Sequence, residues 1–70
     1  MQRNHVYVED DDKGLITVYD DQGKLKPERK FRYASKATQV ETRQRAEDVA
    51  ASLANKLDCL WGCNYGGGPV

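Results

Sequence analysis

Cys59 and Cys63 sit in the closing stretch CLWGCNYGGGPV, and they are the only cysteines in a chain with a single histidine, His5. A structural zinc site takes four ligands and is usually announced by C-x-x-C pairs. A C-x-x-x-C pair plus one histidine offers three donors at most. Read as one turn of helix, the pair would make a strained disulfide, so Cys59 reads as a small half-buried hydrophobe and Cys63 as part of the chain end. A Cys–His nucleophile would also need a third group to orient the base, and none stands out. Gly66, Gly67 and Gly68 follow the helical pattern instead of preceding it, so they cannot form a phosphate-cradling loop at a helix start. A second chemical candidate is EDDDKGLITVYD, residues 9–20, with acids at its first, third and last positions and Gly14 at its sixth. In a calcium loop the fifth position is a ligand, but here it is Lys13, and Asp20 replaces the bidentate glutamate. The same residues read better as two strands around an acidic turn. These readings point to a non-enzymatic chain with no cofactor and no metal.

The elements that position these residues follow from hydrophobic period. HVYVE alternates, with Val6 and Val8 on one side and His5, Tyr7 and Glu9 on the other. LITVYD alternates again, with Ile16 and Val18 opposed to Leu15, Thr17 and Tyr19. Period two and β-branched content predict two strands, joined through DDDKG into a hairpin that pairs Val8 with Ile16 and Val6 with Val18. DDQGKLKPE is a connection marked by Gly23 and Pro27. RKFRYA is a third strand, with Phe31 and Tyr33 facing one way and Lys30 and Arg32 the other. From residue 38 the period becomes helical. TQVE has the form of a capping box with Thr38 as cap, and Ala46, Val49, Ala50, Leu53, Leu57 and Leu60 form one apolar stripe. Gly62 is the expected helix stop. The expected fold is α+β: a three-stranded antiparallel meander packed against one long C-terminal helix, order β-β-β-α. The domain spans 1–62, with 63–70 a flexible tail and Trp61 closing the end of the core.

Seventy residues hold one domain. A chain of that length buries only about 60% of its unfolded surface, so its core gains from a partner or a twin. The composition, 39% hydrophobic and 31% charged, suits a folded soluble domain. No apolar run approaches a membrane span of ~18 residues, and MQRNHVYV lacks the apolar stretch of a signal peptide, which points to the cytoplasm and no membrane partner. Net charge is zero, yet six of eleven acids precede residue 22 and eight of eleven bases fall between 24 and 45. Such bipolar order favours protein partners or self-assembly by charge matching.

Three surfaces are left to act. The sheet face turned away from the helix carries His5, Tyr7, Leu15, Thr17, Tyr19, Lys30 and Arg32, and aromatics with arginine dominate binding hot spots. The tail adds Trp61 and Tyr65, so the partner-binding set is Tyr7, Leu15, Tyr19, Lys30, Arg32, Trp61 and Tyr65. The edge strand HVYVE is uncovered and open to pairing with a twin, which predicts a homodimer. The expected function is that of a small accessory or inhibitory protein, of the kind bacteriophages direct at host enzymes, occupying a surface of a larger host protein. The alternative is a DNA-binding accessory protein. A three-stranded sheet backed by one helix resembles in layout the arm-binding domain of phage-type integrases, which lay the sheet in the major groove. That resemblance implies phosphate contacts from Lys24, Lys26, Arg29, Lys30 and Arg32, with Tyr7 and Tyr19 against sugars or bases. A pI near 6.5 and the acidic turn of Asp10, Asp11 and Asp12 oppose it.

Overall fold

A computed structural model describes residues 5–23, 25 and 28–65 of the chain. The expected contacts of Lys24 and Lys26, and the glycine run 66–68, lie outside these residues. The fold is α+β, one helix on a four-stranded mixed sheet: β1 (His5–Asp10), β2 (Leu15–Asp20), β3 (Arg29–Arg32), α1 (Lys36–Leu57) and β4 (Leu60–Asn64). The spatial order is β3-β2-β1-β4. The first three strands form the antiparallel meander that alternation predicts. The expected three-stranded sheet is corrected by β4, which lies parallel to β1. Strand β1 is therefore central, and the uncovered edge passes to β4.

The parallel strand has a topological cause. Three antiparallel strands leave β3 running in the direction of β1, so a strand that follows the helix re-enters parallel to both. A parallel connection needs a crossover of a dozen or more residues, and the 22 residues of α1 supply it. No helix among the described residues is long and apolar enough to cross a membrane.

The β1–β2 register is two residues away from the one expected: Val8 pairs with Val18 and Asp10 with Ile16. Asp10 belongs to the strand, and the turn tightens to residues 11–14. Asp11 Oδ1 accepts the N–H groups of Lys13 (2.7 Å) and Leu15 (3.0 Å), an Asx turn that fixes the bend. Gly14, at φ 119°, takes a conformation closed to other residues. A slip of two preserves side-chain facing, which is why the predicted faces survive the wrong register.

The helix also begins and ends elsewhere. Ser35, not Thr38, is the N-cap: its Oγ accepts the Thr38 N–H (3.3 Å) while Thr38 Oγ1 accepts the Ser35 N–H (2.9 Å). Threonine thus fills the reciprocal place that glutamate usually takes. At the other end Asp58 adopts the left-handed conformation, φ 53°, and the Cys59 N–H donates to Ala54 O (2.9 Å). That closure resembles a Schellman motif with aspartate in the place of glycine. The stop falls four residues before Gly62, which lies in β4 together with Leu60, Cys63 and Asn64. Cys59 and Cys63 are therefore not a helical pair; both are free thiols.

The core is small and its helical side is made of alanine. Val6, Val8, Ile16 and Val18 are fully buried, and Ala46, Ala50 and Ala54 lie directly over them, with Leu25 closing one end. Leu53 and Leu57 of the expected stripe pack at its margin, beside Phe31 and Tyr33. Leu60 faces solvent, 58% exposed. With methyl side chains between them, helix and sheet can approach closely, and dispersion contacts then accumulate over the whole interface.

Candidate functional site

The two faces of the sheet carry different chemistry. Toward the helix, Asp10 is the one fully buried charge among the described residues. Its carboxylate accepts four hydrogen bonds: Tyr33 Oη (2.6 Å), Arg43 Nε (2.7 Å), Gln39 Nε2 (2.8 Å) and the Asp12 N–H (2.8 Å). Gln39 Nε2 also reaches Asp12 Oδ1 (2.9 Å). Arg43 is held on its other side by the Tyr65 ring, 4.2 Å from the centroid, and Tyr65 Oη donates to Glu47 Oε2 (2.7 Å). The network ties β1, the residue after β3, the stretch of α1 from Gln39 to Glu47 and the residue after β4 into one polar knot.

This knot is built to hold a charge, not to move a proton. Burial alone pushes the Asp10 carboxyl up, but hydrogen bonds from Tyr33, Gln39, the Asp12 amide and Arg43 outweigh it and hold the group down at about 2. Burial and the hydrogen bond to Glu47 push the Tyr65 hydroxyl up. The Asp10 carboxylate has a lower affinity for protons folded than unfolded, so its stabilisation is complete above its ordinary value of 3.8 and is lost as pH falls toward 2. Acid unfolding should therefore show a loss of about 2 kcal/mol across that window. Urea midpoints measured from pH 5 down to pH 2 check this; a variant Asp10→Asn should lack this part of the slope, and an equal slope in both proteins would refute the assignment.

The residues of the calcium-like window do not converge. Glu9 points to the open face, Asp10 is consumed in the knot and Asp11 is spent on the turn. No group of three or more His, Cys, Asp or Glu among the described residues is placed to hold a metal. A cleft of about 290 Å³ opens between the β1–β2 turn and the start of α1, bounded by Lys13, Gly14, Tyr33, Lys36 and Gln39. Its buried amide, Gln39, already donates to Asp10 and Asp12.

The opposite face has no layer over it among the described residues. Register places His5, Tyr7 and Glu9 of β1, Leu15, Thr17 and Tyr19 of β2, Lys30 and Arg32 of β3, and Leu60, Gly62 and Asn64 of β4 on this side. The aromatics form a continuous row. His5 stacks on Tyr7, with centroids 4.5 Å apart and planes 20° apart, and Tyr7 meets Tyr19 at 5.6 Å. Gly62 beside Tyr7 leaves the row unobstructed on the β4 side. Glu9 sits one row along, between Thr17 and Asn64. Partial burial and the nearby Glu9 carboxylate both raise the Tyr19 hydroxyl, so that face carries acid and base together: Glu9 near its middle, Lys30 and Arg32 at its β3 edge.

Five of the seven predicted partner-binding residues, Tyr7, Leu15, Tyr19, Lys30 and Arg32, thus share one surface. Trp61 and Tyr65 do not. Trp61 pairs with Val6 and so lies on the helix side of β4, where it stays 38% exposed and does not close the core. Tyr65 is half-buried in the polar knot instead of hanging free. Leu60, Gly62 and Asn64 of the open face are missed by sequence reading, which takes Leu60 as the end of the helical stripe, Gly62 as the helix stop and Asn64 as part of a tail. No family model, curated protein or solved structure matches the chain in comparisons of sequence and fold.

Proposed function

We propose that the chain is a non-enzymatic protein-binding module whose open sheet face occupies a surface of a larger protein, in the manner of a small accessory or inhibitory protein. The observation that supports this reading is the row His5–Tyr7–Tyr19 on the adjacent strands β1 and β2, on a sheet face uncovered among the described residues, with Leu15 and Leu60 on the same face and charges of both signs around it. Stacked, rigid aromatics offer contact area at little entropic cost, and an apolar centre with a polar rim is the anatomy of a protein interface. The Glu9 carboxylate within the face opposes a phosphate backbone.

The double variant Tyr7→Ala/Tyr19→Ala removes the row without touching the core. Two hot-spot tyrosines lost at ~2 kcal/mol or more each predict that affinity for a captured partner drops by about 700-fold or more. Capture on the immobilised protein, followed by titration of the purified partner against both chains, reads that loss. Equal affinity in the variant, with its circular dichroism unchanged, would move the binding surface elsewhere. The DNA-binding alternative rests on Lys30 and Arg32 side by side on β3. It requires duplex binding at low salt that weakens steeply as salt rises and fails in Lys30→Glu/Arg32→Glu.

A further inference from the structure

The two edges of the sheet are unlike. Strand β3 is four residues long, and three of them, Arg29, Lys30 and Arg32, are cationic. Charges and shortness of that kind guard an edge against pairing. Strand β4, LWGCN, has no Asp, Glu, Lys, Arg or His, and no strand among the described residues lies outside it.

The direction of its backbone groups can be deduced. The Asp21 N–H donates to His5 O and the Asp11 N–H to Leu15 O, both at 3.1 Å. The odd-numbered residues of β1 therefore turn their backbone groups toward β2, and Val6, Val8 and Asp10 turn theirs toward β4. In the parallel ladder that sets Val6 beside Trp61 and Val8 beside Cys63, the groups that answer belong to Leu60, Gly62 and Asn64. Trp61 and Cys63 point their N–H and C=O groups outward.

We infer that β4 pairs with β4 of a second copy, antiparallel and centred on Gly62, joining two sheets into one of eight strands. That register sets Trp61 against Cys63 of the twin and Cys63 against the twin's Trp61, so both outward residues of each copy exchange both backbone hydrogen bonds. It brings no like charges together, whereas pairing through β3 would oppose cations. It also covers Trp61 and Leu60, which are exposed on the two faces of the strand. Gly62 meets its own counterpart as a non-hydrogen-bonded pair. The two aromatic rows then lie on one continuous face, although the pairing itself does not depend on what that face binds.

Sedimentation equilibrium of the full chain should give twice the 7.9 kDa protomer mass in a concentration-dependent way. Cys63→Pro removes an outward N–H while leaving the inward ladder intact, as proline is tolerated at edges. Loss of one bond per copy should raise the dimer dissociation constant roughly thirtyfold. Gly62→Cys in a Cys59→Ser/Cys63→Ser background provides a test of register that does not depend on that variant's folding. A Cβ at position 62 meets only His5 Nε2 at 3.5 Å, ordinary contact, and a non-hydrogen-bonded pair with Cα atoms ~4.5 Å apart is within disulfide reach. With oxidised glutathione it should cross-link to a dimer, and Asn64→Cys in the same background should not. A monomer at every concentration, a Cys63→Pro chain that folds and dimerises like the parent, or cross-linking at residue 64 in place of 62 would each overturn the proposal. Tyr7→Ala/Tyr19→Ala should leave the mass unchanged, separating this edge from the open face.

Discussion

Asp10→Asn should destabilise the fold by ~3 kcal/mol or more, the scale on which removing one partner of a buried ion pair acts. Asparagine keeps the size but turns one acceptor oxygen into a donor and removes the charge. Tyr33, Gln39 and the Asp12 amide then compete for a single neutral oxygen, and Arg43 loses its counter-ion. The Arg43 side chain is 31% exposed and can turn toward water, which keeps the cost at the lower end of that range. A domain of this length has ~3.5–10 kcal/mol in total, at roughly 0.05–0.15 per residue. The expected drop in melting temperature is about 12–24 °C. Chemical denaturation of Asp10→Asn, Arg43→Met and the double variant completes the measurement. Because removing both partners leaves no orphaned charge, the double variant should lose less than the sum of the single ones. Additive losses, or a single-variant loss below ~1 kcal/mol, would mean that the knot is an ornament of the surface and not part of what holds helix to sheet.

The same carboxylate marks the boundary of what sequence reasoning could reach. Facing was legible: period two assigned Val6, Val8, Ile16 and Val18 to the core and Tyr7, Tyr19, Lys30 and Arg32 to the open side, and these assignments are observed. Register was not, because a shift of two leaves every facing unchanged and the turn is decided by one Asx interaction at Asp11. Asp10 sits among four consecutive acidic residues, and nothing local separates the one that folds inward from those that solvate a turn. Its side-chain donors lie 23 to 33 residues away. The helix stop is illegible locally for a related reason. Glycine is the preferred left-handed residue, and Asp58 performs that role only because it precedes a strand that needs the chain to turn back along β1. Strand β4 has neither strong alternation nor β-branched residues, so its existence rests on the tertiary demand of β1 for a second neighbour. A partial signal was present: an odd number of strands before a single long helix sets any following strand parallel to β1 and β3, which fixes its direction but not its edge, and beside β1 it pairs the backbone groups of Val6 and Val8.

That demand can be tested by ending the chain after Gly62. If residues 63 onward were only a tail, the shortened protein would melt with the parent. The structure predicts a loss of ~3 kcal/mol or more. The cut removes Cys63 and Asn64 from the parallel ladder, the Tyr65 hydroxyl from Glu47, worth ~1.5–3 kcal/mol for a bond to a charged acceptor, and the ring that holds Arg43, worth ~0.5–2 kcal/mol. The point variants divide this sum. Tyr65→Phe should cost only the hydrogen bond, and Tyr65→Ala should add the ring, while both leave β4 paired. Since Arg43 also donates to Asp10, Tyr65→Ala and Asp10→Asn should be coupled and not additive. The cut and the point variants further separate stability from assembly. Tyr65→Ala retains Trp61 and Cys63 at the edge and should still dimerise wherever it is folded, whereas the shortened chain lacks Cys63 and should be a monomer even in conditions that restore its fold. A shortened chain that folds and pairs like the parent would show that β1 tolerates an incomplete neighbour on that side, and that the polar knot is held by the helix alone.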